Sequence, residues 1–188
     1  LLKLRQAGPP ALIDIGGIGE LRGISIHNGT IRIGALTTHR AVETSGEVQE
    51  ACAMLAEVAG CIGDPQVRNR GTIGGNVAHA DPASDWPTVL TALNARFVIQ
   101  GPGGGLDRRG TRTVAAVDFF TGLFETALAD NEILTAIEVN RLGPGQHAEY
   151  AKMAHPATSF AVVGATVVVS IDGGRCTRAS VAVGGLVP

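Results

Sequence analysis

The stretch RNRGTIGGN, residues 68–76, gathers two arginines and three glycines within nine positions. Glycine tolerates positive φ and lets another molecule approach the main chain closely, and arginine supplies charge and donors that suit phosphate. Successive main-chain N–H groups from Thr72 to Asn76 would form an anion nest, to which Thr72 and Asn76 add side-chain donors. We therefore predict that residues 72–76 cradle an anion while Ile73 anchors them to the core. A tight structural turn is the alternative interpretation.

This loop differs from the familiar phosphate-binding sequences. It lacks the Gly-Lys-Ser/Thr ending of a Walker A loop, which argues against ATP hydrolysis of that type. The earlier cluster DIGGIGELRG, residues 14–23, has its third glycine one position late for a dinucleotide fingerprint and is interpreted as a turn. A third cluster, GPGGG at 101–105 with Arg108, Arg109 and Arg112 after it, is interpreted as a surface hairpin tip.

The two arginines of the loop allow two interpretations. Arg68 and Arg70 either neutralise the charge of the bound anion or have a structural role, pairing with an acid such as Asp64. The sequence favours the first interpretation only slightly.

Composition excludes several classes of function. The chain has 188 residues, is 45% hydrophobic and carries a formal net charge of −2. It is long enough for one large domain, or for one domain and part of a second. A nucleic-acid-binding surface usually shows as a basic excess, which is missing here. No apolar run is long enough to span a membrane, and no signal-peptide pattern opens the chain.

The three cysteines are too scattered for a metal or iron–sulfur site. Cys52 lies in an apolar helical pattern, so we expect it to be a buried free thiol, and a cytoplasmic location follows from this cysteine usage. The chain begins with LLKLR and stops directly after the strand-like VAVGGLVP. We therefore expect a fragment of something longer.

Periodicity predicts alternating helices and strands. Helices are expected from Ser45 to Ala59, over the face Trp86, Val89, Leu90 and Leu93, and over DFFTGLFETAL at 118–128. Strands are expected at Ala11–Ile15, Thr30–Ala35, RFVIQ, RTVAAV, EILTAIEV and AEYAKMA, with a hairpin of FAVVGATVVVSI and ASVAVGGL around Asp172-Gly173. Gly143–Gly145 is the best boundary, which divides the chain into domains 1–144 and 145–188.

The run AHADPASD suggests a metal site only superficially. His79, Asp81 and Asp85 have no second histidine or other obvious ligand nearby. We instead expect Asp81 to cap a helix. Asp85 would then face outward one turn later and accept hydrogen bonds from ligand hydroxyls, as an acid reads a ribose. The other histidines, His27, His39, His147 and His155, are interpreted as surface or turn residues.

Taken together, these motifs resemble a known family. DPQVRNRGTIGGNVAHADPASDWPTVLTALNA at 64–95, with IRIGALTTH before it and DFFTGLFETALADNEILTAIEV after it, resembles the FAD-binding subunit of molybdenum hydroxylases. The medium subunit of the carbon monoxide dehydrogenase type is the most similar in appearance. The resemblance covers essentially the whole chain. It implies an α+β fold: a two-part FAD-binding domain, of a type shared with vanillyl-alcohol-type oxidases, followed by the start of a small α+β C-terminal domain.

The resemblance also implies a cofactor and partners. FAD would be held by Thr72, Ile73, Gly74, Gly75 and Asn76 at its diphosphate, with further contacts from Asp85, Leu134, Lys152 and Ile62. No residue of this chain would be catalytic. The family role is an oxidoreductase electron relay, from an iron–sulfur small subunit, through FAD, to an external acceptor. A large subunit with the molybdenum cofactor would oxidise the substrate, in a heterotrimeric and dimerised complex.

Two other functions remain open at this stage. The chain could be a scaffold subunit that has lost its cofactor, or an independent FAD oxidase with its own substrate site. The family's second phosphate loop, of Ala-Gly-Gly-x-Ser-Leu type, would precede LLKLR, so half of the diphosphate cradle is missing from these 188 residues.

Overall fold

The structure is a computed structural model that describes residues 11–103 and 110–185. LLKLR, Arg108 and Arg109 lie outside these described residues. Five strands form an antiparallel sheet in the order β1-β2-β7-β3-β4, where β7 occupies the centre. The strands of this sheet are β1 (Ile24–His27), β2 (Thr30–Gly34), β3 (Arg96–Gln100), β4 (Thr111–Ala115) and β7 (Ile133–Asn140).

One face of this sheet is apolar and the other is charged. Along β2, Ile31 and Ile33 are fully buried, whereas Arg32 between them is exposed and pairs with Glu138 of β7. This alternation is the period-2 pattern of a sheet with one covered face. The apolar face meets the helices, whose bounds are α1 (His39–Glu43), α2 (Gly46–Gly60), α3 (Pro65–Arg70), α4 (Ile73–His79), α5 (Asp85–Ala92) and α6 (Ala116–Phe119).

The core forms between this sheet and the helices. Its largest fully buried side chains include Trp86, Phe97, Phe119, Leu55 and Ile137. Phe97 and Phe119 are in tilted ring contact, with 4.4 Å between their centroids. Cys52 is buried in α2, where the helix is interrupted by a kink, and its thiol is free. The prediction of a buried free thiol is therefore confirmed.

A second sheet follows the first along the chain. Its strands, β8 (Gln146–Ala154), β9 (Ala161–Asp172) and β10 (Arg175–Gly184), form an antiparallel sheet in the order β10-β9-β8. Helix α5 packs against β9 and β10, and the main-chain N–H of Gly185 donates to the Pro82 carbonyl. The second sheet is thus docked on α5 and on the loop before it.

Most predicted elements are present, and two are wrong. Residues 11–15 form no strand, and a short 3-10 helix, Gly19–Leu21, follows them. The predicted helix over 118–128 is mostly a small hairpin, of β5 (Phe120–Gly122) and β6 (Glu125–Thr126), directly after α6. The chain reverses there because Phe119 enters the core and Phe124 adopts a φ of +57°. The mixed helices and antiparallel sheets confirm the α+β fold class.

The strands on either side of Gly143–Gly145 lie in different sheets. The division into domains 1–144 and 145–188 stays a prediction, as does the assignment of the second sheet to a C-terminal domain. No helix within residues 11–103 and 110–185 is both long and apolar enough to cross a membrane.

Candidate functional site

A cleft of about 510 Å³ lies where the helical layer of the first sheet meets the turn between β8 and β9. Its walls combine apolar side chains, hydroxyls, an amide, a carboxylate and a guanidinium group. The lining residues are His39, Ile62, Gly63, Val67, Arg70, Gly71, Thr72, Gly75, Asn76, Ser84, Asp85, Thr158, Ser159 and Phe160. The cleft is therefore lined both by the helical layer that covers the first sheet and by the turn that joins two strands of the second sheet.

The predicted anion loop is the beginning of a helix. Thr72 is the N-cap of α4, and its hydroxyl oxygen accepts a hydrogen bond from the Gly75 N–H at 3.2 Å. The N–H groups of Ile73, Gly74 and Asn76 donate to the carbonyls of Thr37, Ala35 and Thr72, respectively. All four N–H groups from 73 to 76 thus have acceptors within the protein. The expected nest of free main-chain donors is not present.

The two glycines of α4 have different surroundings. A Cβ on Gly74 would collide with the Ala35 Cβ, so the absence of a side chain lets α4 start directly against the end of β2. A Cβ on Gly75 would lie 2.9 Å from the Thr72 hydroxyl oxygen, on the side that lines the cleft. Ile73 is fully buried, which confirms its expected anchoring role.

Several side-chain donors along the cleft remain without acceptors among the described residues. The Thr72 hydroxyl accepts from Gly75, and no described residue accepts its own hydrogen. The Asn76 carbonyl oxygen accepts from the Ser84 hydroxyl, which leaves the amide N–H2 group for a ligand. Arg70, the last residue of α3, lines the cleft and forms no ion pair within the described residues.

The two arginines have separate roles. Arg68 pairs with Glu43 at 3.1 Å between Nε and Oε2, and its guanidinium also donates to the carbonyls of Ile62 and Gly63. The suggested pairing of Arg68 with Asp64 is wrong, because the Asp64 carboxylate caps α3 and accepts from the Val67 N–H. Arg68 is therefore structural, and the guanidinium group that lines the cleft is that of Arg70.

Asp85 does not face outward as expected. It is the first residue of α5, after Ser84, so Asp81 is not the cap; the Asp81 side chain accepts from Ala83 within the preceding turn. The Asp85 side chain is only 5% exposed and forms an ion pair with Lys152, with 2.9 Å between Oδ2 and Nζ. Its other oxygen, Oδ1, accepts from the Tyr150 hydroxyl.

This buried group of three residues joins the two sheets. Lys152 and Tyr150 belong to β8, and the Lys152 ammonium also donates to the Cys61 carbonyl at 3.2 Å. Burial raises the pKa of Tyr150, and the hydrogen bond to Asp85 and the charge of Asp85 raise it further. A charge-assisted hydrogen bond and an ion pair thus hold the Asp85 carboxylate at the edge of the cleft.

His39 is not a surface residue. It is 2% exposed at the start of α1, and its Nδ1 accepts a hydrogen bond from the Trp86 indole N–H at 3.2 Å. Burial lowers the pKa of His39 to about 4, and the positive charge of Arg68 contributes to this shift. His39 is therefore a neutral imidazole at pH 7. The other three, His27, His147 and His155, are exposed as expected.

The structure brings together some of the predicted cofactor positions. Thr72, Gly75, Asn76, Asp85 and Ile62 line the cleft, and Lys152 contacts Asp85 directly. Ile73, Gly74 and Leu134 do not line it: Ile73 and Leu134 are in the core, and Gly74 packs on Ala35.

Sequence reasoning missed His39, Ser84, Tyr150 and the turn residues 158–160. Their placement depends on distant contacts, and the only local signal was the position of Ser84 just before a helix. No group of His, Cys, Asp and Glu that could hold a metal ion occurs within the described ranges.

Comparison with known proteins relates this site to a family. The model described as "FAD binding domain in molybdopterin dehydrogenase" matches residues 1–141. The carbon monoxide dehydrogenase medium chain of Hydrogenophaga pseudoflava is 40% identical over 188 residues, which are 100% of this chain and 63% of that relative. The glyceraldehyde dehydrogenase medium chain of Sulfolobus acidocaldarius is 36% identical over 186 residues, 99% of this chain and 64% of the relative.

A solved structure gives the same relationship in three dimensions. The carbon monoxide dehydrogenase from Hydrogenophaga pseudoflava that lacks the Mo-pyranopterin moiety of its molybdenum cofactor matches with a TM-score of 0.90 and 42% identity. The match covers 97% of this chain and 61% of that chain. This chain therefore spans somewhat less than two thirds of the length of the relatives it matches.

Proposed function

Since this chain belongs to the family of FAD-binding domains of molybdopterin dehydrogenases, we propose that it is the FAD-binding electron-transfer subunit of a molybdenum hydroxylase complex. Membership confirms the resemblance and FAD as the cofactor expected from it. In the proposed complex, electrons pass from iron–sulfur clusters of a small subunit, through FAD on this chain, to an external acceptor. A large subunit carries the molybdenum cofactor, and the assembly is a dimerised heterotrimer in the cytoplasm.

The observation that carries this proposal is the cleft with its uncommitted donors. The guanidinium of Arg70, the hydroxyl of Thr72 and the amide of Asn76 suit an anionic, oxygen-rich group such as a diphosphate. Ile62, Val67 and Phe160 provide apolar surface for a ring. A volume of about 510 Å³ lies within the range of cofactor pockets, so the residues present fit a large part of a flavin nucleotide.

Individual residues would hold FAD in different ways. Thr72 and Asn76 would donate to diphosphate oxygens, and Gly75 would let the phosphate approach α4 without a side chain in between. Ile62 would pack against an apolar part, and Asp85 and Lys152 would offer an acceptor and a donor at the edge of the cleft. Ile73, Gly74 and Leu134 would support FAD binding indirectly, because they shape the start of α4 and the adjoining core.

When bound, a flavin accepts and releases electrons singly or in pairs, which is the chemistry that a relay requires. The protein contributes by positioning the flavin and by excluding water. The cleft has no proton-transfer pair of the kind a substrate-oxidising site needs: among its described residues, Asp85 is tied to Lys152 and Tyr150, and His39 accepts from Trp86. This arrangement favours a relay over an independent FAD oxidase.

The first experiment is a visible absorption spectrum of the full-length protein, expressed with its neighbouring subunits. The bound pigment is then released and identified by mass. We expect flavin absorption and about one FAD per chain. An assembled complex without flavin would favour the cofactor-free scaffold instead.

A second experiment addresses the direction of electron flow. The complex is compared with a sample from which FAD has been removed, using a dye that takes electrons directly from iron–sulfur clusters. Removal of FAD should abolish reduction of the physiological acceptor and leave reduction of the dye intact. Substrate oxidation by the isolated full-length chain would contradict the relay and support an oxidase.

A further inference from the structure

His39 is a buried polar side chain that the proposed function has not used. Its main-chain N–H donates to the Gly71 carbonyl at 3.0 Å, and the Ile73 N–H donates to the Thr37 carbonyl. Residues 37–39 therefore run antiparallel to residues 71–73, and Thr38 and Thr72 form a β-bridge. This pairing fixes His39 beside the glycine that precedes the N-cap of α4.

The hydrogen bond from Trp86 determines which nitrogen of His39 carries the proton. The indole nitrogen of tryptophan is only a donor, so the His39 Nδ1 that accepts from it has no hydrogen. In a neutral imidazole the hydrogen must then be on Nε2, which makes Nε2 a donor. Trp86 is fully buried and is held by the core, so this choice of tautomer is built into the fold.

The Nε2 edge of the ring faces Gly71 at the cleft. A Cβ on Gly71 would lie 3.0 Å from Cδ2 and 3.1 Å from Nε2 of His39, and both residues line the cleft. No residue within the described ranges accepts a hydrogen bond from Nε2. Thr166 Oγ1 is the only fully enclosed side-chain polar atom without a partner in the described ranges, so Nε2 is not enclosed and its hydrogen is open to the cleft. The ring is thus a fixed, uncharged donor at the wall of the cleft.

We propose that His39 is a cofactor-binding residue, whose Nε2–H donates to an acceptor atom of FAD. This inference rests on the proposed function, because FAD supplies the acceptor. Burial keeps the imidazole neutral, so the donor adds no charge to the cleft, whose uncommitted positive charge comes from Arg70. Gly71 leaves the Nε2 edge accessible, and any larger residue there would meet the ring.

The test compares two substitutions of similar size and polarity. His39→Asn places an oxygen near the position of Nδ1, where it can still accept from Trp86, but it does not reach the position of Nε2. His39→Gln places an amide N–H2 group near the position of Nε2, where it can still donate. The Kd for FAD is measured by flavin fluorescence on full-length complex from which FAD has been removed. The exposed His27→Gln is the control.

We expect the Kd of His39→Asn to rise by about 3- to 10-fold, the loss of one hydrogen bond. His39→Gln should stay within about twofold of wild type, and His27→Gln should not differ from it. Wild-type affinity in His39→Asn, or equal losses in Asn and Gln, would overturn the inference. Failure of the wild-type protein to bind FAD would instead refute the proposed function.

A spectroscopic measurement tests the donor independently of FAD. ¹⁵N NMR of the histidine-labelled full-length protein at pH 7 should give His39 as a neutral ring protonated on Nε2. Trp86→Phe removes the indole donor, so the His39 ring should then populate both neutral tautomers. If His39 had only a structural role, no such change in tautomer would be expected. A neutral His39 protonated on Nδ1 in the wild-type protein would overturn the inference.

Discussion

Burial shifts the pKa values of Cys52 and His39 in opposite directions. The pKa of Cys52 is raised to about 11, chiefly by burial, and that of His39 is lowered to about 4 for the same reason. The two shifts have opposite signs because burial disfavours the charged form, which is the thiolate for cysteine and the imidazolium for histidine. Both side chains are therefore neutral at pH 7, and the Cys52 thiol is not a nucleophile there.

His39 should make stability depend on pH in a specific window. Its native pKa of about 4 lies below the unfolded value of 6.5, so between these values the unfolded chain binds a proton that the native chain does not. Stability is then complete above about pH 6.5, and it falls as the pH drops towards 4. The slope attributable to His39 is at most about 1.4 kcal/mol per pH unit.

Urea unfolding of wild type and His39→Gln at pH 7.5, 6 and 5 measures this slope. We expect the difference in unfolding free energy to move in favour of His39→Gln as the pH falls. His27→Gln, at an exposed position, should show no such change. Parallel profiles for wild type and His39→Gln would contradict the assignment.

At the scale of elements, the sequence predicts those helices and strands whose formation depends on local residue patterns. Apolar residues at helical spacing predict helices α2 and α5, and short apolar runs rich in β-branched residues between turn signals predict strands β3, β9 and β10. Residues 11–15 carry an apolar pattern as well, but Leu12 and Ile13 are exposed and no strand pairs with them. A strand exists only where a neighbour accepts its hydrogen bonds, which the sequence of one segment does not reveal.

The same limit applies to the cleft. The sequence predicted Thr72, Gly75, Asn76 and Asp85, since a glycine loop and an acid just after it are a local pattern. The bond between Trp86 and His39 joins residues 47 positions apart, and the contact of Lys152 with Asp85 joins residues 67 apart. Such pairs depend on how elements dock, and only the family resemblance pointed to Lys152.

Two capping threonines, Thr72 and Thr38, allow the effect of helix capping to be measured separately from the effect on ligand binding. Thr72 caps α4 and lines the cleft, whereas Thr38 caps α1 in the same way, accepting from the Ala41 N–H, but is not a lining residue. Replacing either threonine by alanine should cost about 1 kcal/mol of unfolding free energy, the usual value of a lost cap. Thr72→Ala should also weaken FAD binding, and Thr38→Ala should not.

Urea unfolding and FAD titration of the full-length complex check both parts of this prediction. Thr72→Ser keeps a hydroxyl that can cap the helix and reach the cleft, so it should restore both properties. Equal FAD affinities for Thr72→Ala and Thr38→Ala would contradict a role of the Thr72 hydroxyl in the cleft.

For the whole molecule, the question is what fixes the second sheet to the first. The contacts of α5 with β9 and β10 are mainly packing: the Gly184 Cα approaches so closely that a Cβ there would collide with the Thr88 hydroxyl. The polar contacts of this junction include the ion pair between Asp85 and Lys152 and the hydrogen bond from Gly185 to Pro82. Because the cleft is lined from both sides of the junction, the docking of the sheets also determines the shape of the cleft.

We therefore expect Lys152→Met to destabilise the protein strongly. It would leave the Asp85 carboxylate buried without its cation, which typically costs about 3–5 kcal/mol.

The double variant Asp85→Asn/Lys152→Met removes both charges and should recover a large part of that loss. The control is Arg32→Met, which breaks the exposed pair with Glu138 and should cost less than about 1 kcal/mol. Urea unfolding of FAD-free protein gives these three values, and the single variant Asp85→Asn, measured in the same way, completes a double-mutant cycle. A loss in Lys152→Met no larger than in Arg32→Met would mean that the ion pair contributes little to holding the sheets together, and the cleft would then keep its shape without it.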